Sequence, residues 1–130
     1  MDWQFTNDRP IYLQIAEQIV QQIAAGGYPP GERLPSVRDL AAQAGVNPNT
    51  MQRAFGELER EGLVLSNRTA GRIVTEDMMK IEEIRRMQAQ KQIEAFLSGM
   101  KQLGYTGEQA AQLLEQYASN AHRTDDCKKG

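Results

Sequence analysis

Ser36-Val37-Arg38-Asp39-Leu40-Ala41-Ala42-Gln43-Ala44-Gly45-Val46-Asn47-Pro48-Asn49-Thr50-Met51 is the stretch on which the reading of this chain turns. Ser36 is a good helix N-cap, and Asp39, three residues on, can reach back in the manner of a capping box. Val37, Leu40, Ala41 and Ala44 recur at helical spacing and give a short buried stripe. Gly45 stops that helix, and Val46 can tuck into the core of the turn. Asn47-Pro48 opens the next helix, a capping side chain followed by proline at the first helical position. Two short helices across a tight Gly-containing turn make a helix-turn-helix.

Working outward, Pro10 opens a helical series of Ile11, Ile15, Ile19, Val20 and Ile23, which Gly26-Gly27 ends. Tyr28-Pro29-Pro30-Gly31 then forces an extended or turned connection. On the other side, Met51, Ala54, Phe55 and Leu58 share one face of the third helix, which Gly62 ends. Leu63-Val64-Leu65 and Gly71-Arg72-Ile73-Val74-Thr75 are short β-prone runs flanking a polar turn, and they read as a hairpin. From Asp77 a long helical pattern carries Ile81, Ile84, Met87, Ile93, Phe96, Leu97, Met100 and Leu103, with Gly99 weakening it locally. Gly104 breaks it, Thr106 can cap again, and Ala110, Leu113, Leu114 and Tyr117 form a second stripe.

The expected fold class is therefore mainly α with a small β-hairpin wing. A winged helix-turn-helix DNA-binding domain spans 1–77, and a helical two-helix dimerisation segment spans 78–118. Residues 119–130 are polar and aperiodic and read as a flexible tail.

Bulk properties bound the function. The chain has 130 residues, 40% of them hydrophobic and 25% charged, an ordinary globular balance. The N-terminal residues 1–9 lack the apolar segment of a signal peptide, and no apolar run approaches a membrane span, so a cytoplasmic protein without a membrane partner is expected. One cysteine, Cys127, and one histidine, His122, make a protein-only metal site improbable, and no cofactor is expected. There is no Ser-His-Asp set, no Cys/His pair and no phosphate-cradling loop, so the chain does not read as an enzyme.

The segment from Tyr28-Pro29-Pro30-Gly31-Glu32-Arg33-Leu34-Pro35-Ser36 through Ala41 closely resembles the head of the GntR family of bacterial regulators. Gly45 through Phe55, Leu58-Glu59-Arg60-Glu61-Gly62-Leu63-Val64 and the closing Gly71-Arg72-Ile73-Val74 extend the resemblance over about half the chain. Larger branches of that family add a long effector-binding domain, whereas 53 residues follow Asp77 here. The short helical remainder and the Asn-Pro-Asn-Thr opening of the third helix look like the YtrA-type branch. That resemblance implies a homodimer joined by its C-terminal helices, a repressor often acting on transporter operons, and a possible small-molecule effector.

The start of an α-helix fits the major groove, where its side chains meet base edges. Asn47, Asn49, Thr50, Gln52 and Arg53 stand there. Asn and Gln can pair bidentately with adenine, Arg with guanine, and Thr with thymine or phosphate. Plain capping also accounts for Asn47 and Thr50, and a solvated face for Asn49, Gln52 and Arg53. By resemblance Arg38 reaches the DNA beside the third helix; an ion pair with nearby acids is the competing reading. Ser36 caps its helix and leaves backbone N–H groups for a phosphate. At the wing tip, Arg68 and Thr69 suit a minor-groove or phosphate contact. Gln52 stands where the larger branches typically carry arginine, so their operator preference does not carry over.

Through Asp77 seven arginines and no lysine face ten acids, a net charge of −3. Attraction to DNA must therefore come from arginines gathered on one face. The C-terminal stripe needs more cover than the head offers, so Ile84, Met87, Ile93, Phe96, Leu97, Met100, Leu103, Leu113, Leu114 and Tyr117 are assigned to a dimer interface. An intramolecular hairpin in a monomer is the alternative. Two-fold symmetry would then call for a palindromic operator. Tyr105 and Tyr117 are polar handles for an effector, although Met-rich stripes are more often simply core. A winged helix used only for protein contacts is the rival to the DNA reading.

Overall fold

The structure, a computed structural model, describes residues 2–129, with side-chain surroundings for 2–121. The chain divides into two compact units, Met1–Gln88 and Ala89–Gly130. The first unit holds α1 (Ile11–Ala25), α2 (Val37–Ala44), α3 (Pro48–Arg60), β1 (Val64–Asn67), β2 (Gly71–Val74) and the start of α4 (Met78–Gln102). The mainly α fold with its hairpin wing is the one expected.

Local signals set the boundaries. Pro10 caps α1 and Gly26 closes it. Ser36 Oγ accepts the Asp39 N–H at 3.1 Å, which caps α2. The reciprocal bond from the Asp39 carboxylate is not formed among the described residues. Gly45 ends α2 with φ +70°, a left-handed conformation that costs a side-chain-bearing residue about 1–2 kcal/mol. Asn47 Oδ1 accepts the Asn49 N–H at 2.7 Å, and Pro48 occupies the first turn of α3.

The core lies between α1 and α3, closed by α2 and the base of the wing. Ile15, Ile19, Leu40, Met51, Phe55, Leu58, Leu63, Val64 and Val74 are fully buried. Truncating one of the larger of these would cost about 3–5 kcal/mol. Residues 2–9 lie along α1 as a strap. Gln18 brackets Gln4 by accepting its N–H and donating to its carbonyl, at 3.1 and 2.8 Å. Buried Gln14 accepts the Thr6 N–H and donates to the Thr6 and Arg9 carbonyls. Trp3 and Phe5 stack and pack on the core, and Arg9 pairs bidentately with Glu17.

β1 and β2 are antiparallel, with Ser66 opposite Arg72 and Asn67 opposite Gly71. The linker after α1 pairs with the outer edge of β2, an arrangement the Pro-Pro-Gly signal does not reveal. Gly31 and Leu34 N–H groups donate to the Val74 and Arg72 carbonyls, and Val74 N–H donates to Glu32, all at 2.9 Å. The hairpin thus gains a third extended segment, without which two short strands would be marginal.

Asp77 caps α4 through Oδ1, which accepts the Met79 and Lys80 N–H groups. Ile81 is buried and Ile84 packs against the head's core. Ile84, assigned from sequence to the dimer interface, is thus half-buried against the head and keeps part of its side chain exposed. In the first turns of α4 the head covers Ile81 and part of Ile84, while Met78 and Met79 stay exposed.

The second unit contains the remainder of α4 and α5 (Gly107–Lys129). α4 passes Gly99 unbroken. Thr106 opens α5 with a full capping box: Gln109 N–H donates to Thr106 Oγ1 and Thr106 N–H to Gln109 Oε1. Ala110 is fully buried and Phe96, Met100 and Leu113 are half-buried. Ile93, Leu97, Leu103, Leu114 and Tyr117 are exposed. α5 continues through the stretch read from sequence as a tail, because no Gly or Pro after Gly107 stops it before Lys129. The side chains of His122 and Cys127 lie outside the described residues.

Candidate nucleic-acid interface

The caps that end α2 and begin α3 also determine what the head presents to solvent. Because Asn47 and Pro48 fix the first turn of α3, Asn47, Asn49, Gln52 and Arg53 are exposed while Met51 and Ala54 face the core. Thr50 is half-buried. Asn47 spends its carbonyl oxygen on the cap, and its NH2 group has no partner among the described residues. Capping and donation to a base edge are therefore compatible.

Beside this helix start lies an open cleft bounded by the beginning of α2 and the wing. Ser36, Arg38 and Gln52, all named from sequence, line it together. Arg33 and Arg72 line it too, as does Asn67. No ion pair involves Arg38 among the described residues, so its competing role as an acid's partner is not realised. Arg72 is ion-paired with Glu59, so Arg33 and Arg38 are the guanidinium groups that bring net positive charge to the cleft of a head whose net charge is negative, the local arrangement a phosphate backbone requires.

Arg53 does not join this cleft. Its guanidinium lies 3.9 Å from the centroid of the Tyr12 ring on α1, a cation–π contact. It is held on the α1 side of α3 by a residue 41 positions away in sequence. Arg68 and Thr69 sit at the exposed wing tip. Asn67 Oδ1 accepts the Thr69 N–H, the Thr69 hydroxyl and the Ala70 N–H, so the tip is ordered by its own side chains. Gly71, at φ +77°, completes this three-residue connection. Thr69 thus uses its hydroxyl within the turn, and Arg68 is the cation at the tip.

Two residues of consequence, both inside motifs that carry the family resemblance, were assigned no role from the sequence. Arg33 lies in a linker read only as a connection, and its place depends on that linker pairing with β2. Arg72 was counted only as charge, yet its Nε donates to Glu59 Oε1 at 2.6 Å and its guanidinium lies 5.1 Å from the Phe55 centroid. No local pattern marks either placement.

The likeness to known proteins agrees with this geometry. The family model described as bacterial regulatory proteins, gntR family, matches residues 11–86. Over 109 residues the chain is 42% identical to YhcF, an uncharacterised HTH-type transcriptional regulator of Bacillus subtilis, covering 84% of this chain and 90% of that protein. It is 44% identical over 68 residues to the HTH-type transcriptional repressor YtrA of Bacillus subtilis, covering 52% of each. Among solved structures it matches a GntR family transcriptional regulator from Listeria monocytogenes with a TM-score of 0.78 at 38% identity, covering 86% of this chain and 98% of that one. It also matches AraR(DBD) in complex with operator ORX1, with a TM-score of 0.52 at 30% identity over 55% of this chain and 93% of that one. With its helix-turn-helix, wing and arginine-lined cleft, the chain belongs to the gntR family of bacterial regulatory proteins and is a DNA-binding transcriptional regulator, not an enzyme.

Proposed function

We propose that the protein is a cytoplasmic homodimeric repressor of the YtrA type that reads a palindromic operator. The observation that carries this reading is the exposed polar start of α3 beside a cleft lined by Arg33, Arg38 and Arg72. In this reading Asn47, Asn49 and Gln52 meet base edges, with Thr50 at their margin. Ser36, Arg38, Arg53 and Arg68 hold the phosphate backbone, and Thr69 shapes the tip that carries Arg68. Residues 1–77 form the reading head and 78–118 the dimerisation region.

The second head comes from a second chain. In the C-terminal unit Ile93, Leu97, Leu103, Leu114 and Tyr117 are all exposed, more apolar surface than a small soluble unit usually leaves to water. A dimer covers it and doubles the DNA contacts, which a head of net negative charge needs. Occupancy of an operator by such a dimer is sufficient to block polymerase, and a transporter operon is the expected target. The resemblance to YtrA, named a repressor, supports this sign of regulation. A small-molecule effector, if used, would act through the same C-terminal helices.

Selection of bound duplexes from a random-sequence library, followed by sequencing, tests the reading. The expected result is an inverted repeat with half-sites about 10 base pairs apart or a multiple of it. Arg38→Ala should weaken binding to the selected duplex on the order of tenfold. Recovered duplexes with no shared repeat, or unchanged binding by Arg38→Ala, would refute it.

A further inference from the structure

One carboxylate oxygen grips both strands of the wing. Glu59 stands on the last turn of α3, and its Oε1 accepts Arg72 Nε from β2 at 2.6 Å and Ser66 Oγ from β1 at 3.3 Å. Ser66 and Arg72 are opposite each other in the hairpin register. The grip therefore falls on a single rung, one step short of the Asn67–Gly71 pair that begins the tip. Nearer its base the wing is held by Val64 and Val74 in the core, and the linker pairs with the β2 backbone as far as the Arg72 carbonyl. Beyond that, Leu65 is 46% exposed, so apolar packing holds the outer half only weakly. The Glu59 rung, with Arg72 over Phe55, is what ties the outer wing to the recognition helix.

We propose that Glu59 is a positioning residue: it fixes the wing against α3 so that Arg68 reaches the DNA backbone while α3 occupies the groove. This rests on the DNA-binding reading above. It also makes a prediction opposite in sign to simple electrostatics. A carboxylate beside a DNA-binding cleft repels phosphate, so removing its charge should strengthen binding if charge alone matters. If Glu59 positions the wing, removing it weakens binding, because Arg68 is released.

The probe is a fluorescein-labelled duplex recovered from the library selection, titrated with the full-length protein by fluorescence anisotropy over a range of salt concentrations. Arg68→Ala should lower affinity and flatten the slope of log K against log salt by about 0.9 for each phosphate that is no longer neutralised. Glu59→Gln should do the same in part. In the Arg68→Ala background it should weaken binding no further. Hydrogen exchange of the free protein supplies a readout without DNA: Glu59→Gln should speed exchange over residues 65–72 and leave α1 unchanged.

Tighter binding by Glu59→Gln, or losses of affinity that add with those of Arg68→Ala, would overturn the proposal. So would faster exchange in the wing with no change in affinity or salt slope. Arg38→Ala separates the two levels: if it too leaves binding unchanged, the DNA-binding reading has failed rather than the wing tie alone.

Discussion

Gly45 and Gly56 offer the same substitution with opposite expected outcomes. A Cβ built at either position meets nothing within 4 Å, so neither replacement by alanine creates a clash. What differs is the backbone. Gly45 closes α2 at φ +70°, where an alanine is strained by about 1–2 kcal/mol. Gly56 lies inside α3, where alanine is favoured over glycine by about 1 kcal/mol. Gly45→Ala should therefore destabilise the first unit by about 1 kcal/mol or more, and Gly56→Ala should stabilise it by a similar amount. For a unit of 88 residues, each kcal/mol moves Tm by about 4–8 °C. The single tryptophan, Trp3, packs on the core of that unit and reports its melting by fluorescence, with circular dichroism as a second probe. Gly45→Asn should lie nearer the wild type, because asparagine tolerates the left-handed region better. A Gly45→Ala variant that melts at or above the wild-type temperature would refute the assignment of this glycine to backbone conformation. A lower Tm for Gly56→Ala would do so from the other side.

Tyr12→Leu should remove the platform under Arg53 and weaken binding to the selected duplex several-fold, whereas Tyr12→Phe keeps the ring and should bind nearly as well as wild type; equal binding by the leucine and phenylalanine variants would count against a role for this contact. Gln14→Leu leaves the Thr6 N–H without its acceptor and both Gln14-bound carbonyls without their donor, and should lower stability by about 1–3 kcal/mol in urea unfolding followed by Trp3. Leu97→Glu, placed on an exposed apolar position of the C-terminal unit, should shift the protein towards monomer in sedimentation velocity while leaving the melting of the head unchanged. A dimer undiminished by both Leu97→Glu and Leu114→Glu would move the interface elsewhere. Ser36→Ala should cost about 1 kcal/mol through removal of the cap alone, and an affinity loss larger than folding explains would reveal a phosphate contact in addition.

What could be read in advance was what local chemistry decides. Ser36, Gly45, Asn47-Pro48 and Thr106 each act within a few residues, and the caps they signal are formed where expected. The hairpin was equally legible, since its turn and its β-prone runs are contiguous. Contacts between distant elements were not. Arg53 was legible as an exposed cation near the start of α3, but its contact with Tyr12, 41 residues earlier, was not. Arg72 was legible as part of a β-prone run, but nothing in Gly71-Arg72-Ile73 shows that Glu59 is waiting 13 residues earlier. Ile84 looked unpartnered because a periodic stripe does not say where along a helix the neighbouring core stops. The polar composition after Ser119 reads as a tail, and no Gly or Pro there marks where the backbone of α5 stops before Lys129.

The strap over α1 limits the reach of this reader. Some DNA-binding proteins gain affinity from a loose N-terminal arm that threads the neighbouring minor groove. Here Trp3 and Phe5 are spent on the core and the backbone of residues 4–9 is stitched to Gln14 and Gln18, so this segment has no slack to leave the head. In the proposed complex the contacts of each head then come from the start of α2, from α3 and from one wing. Discrimination among related operators then rests on the few base edges that α3 meets and on the spacing between two half-sites, a distance fixed by the partner chain.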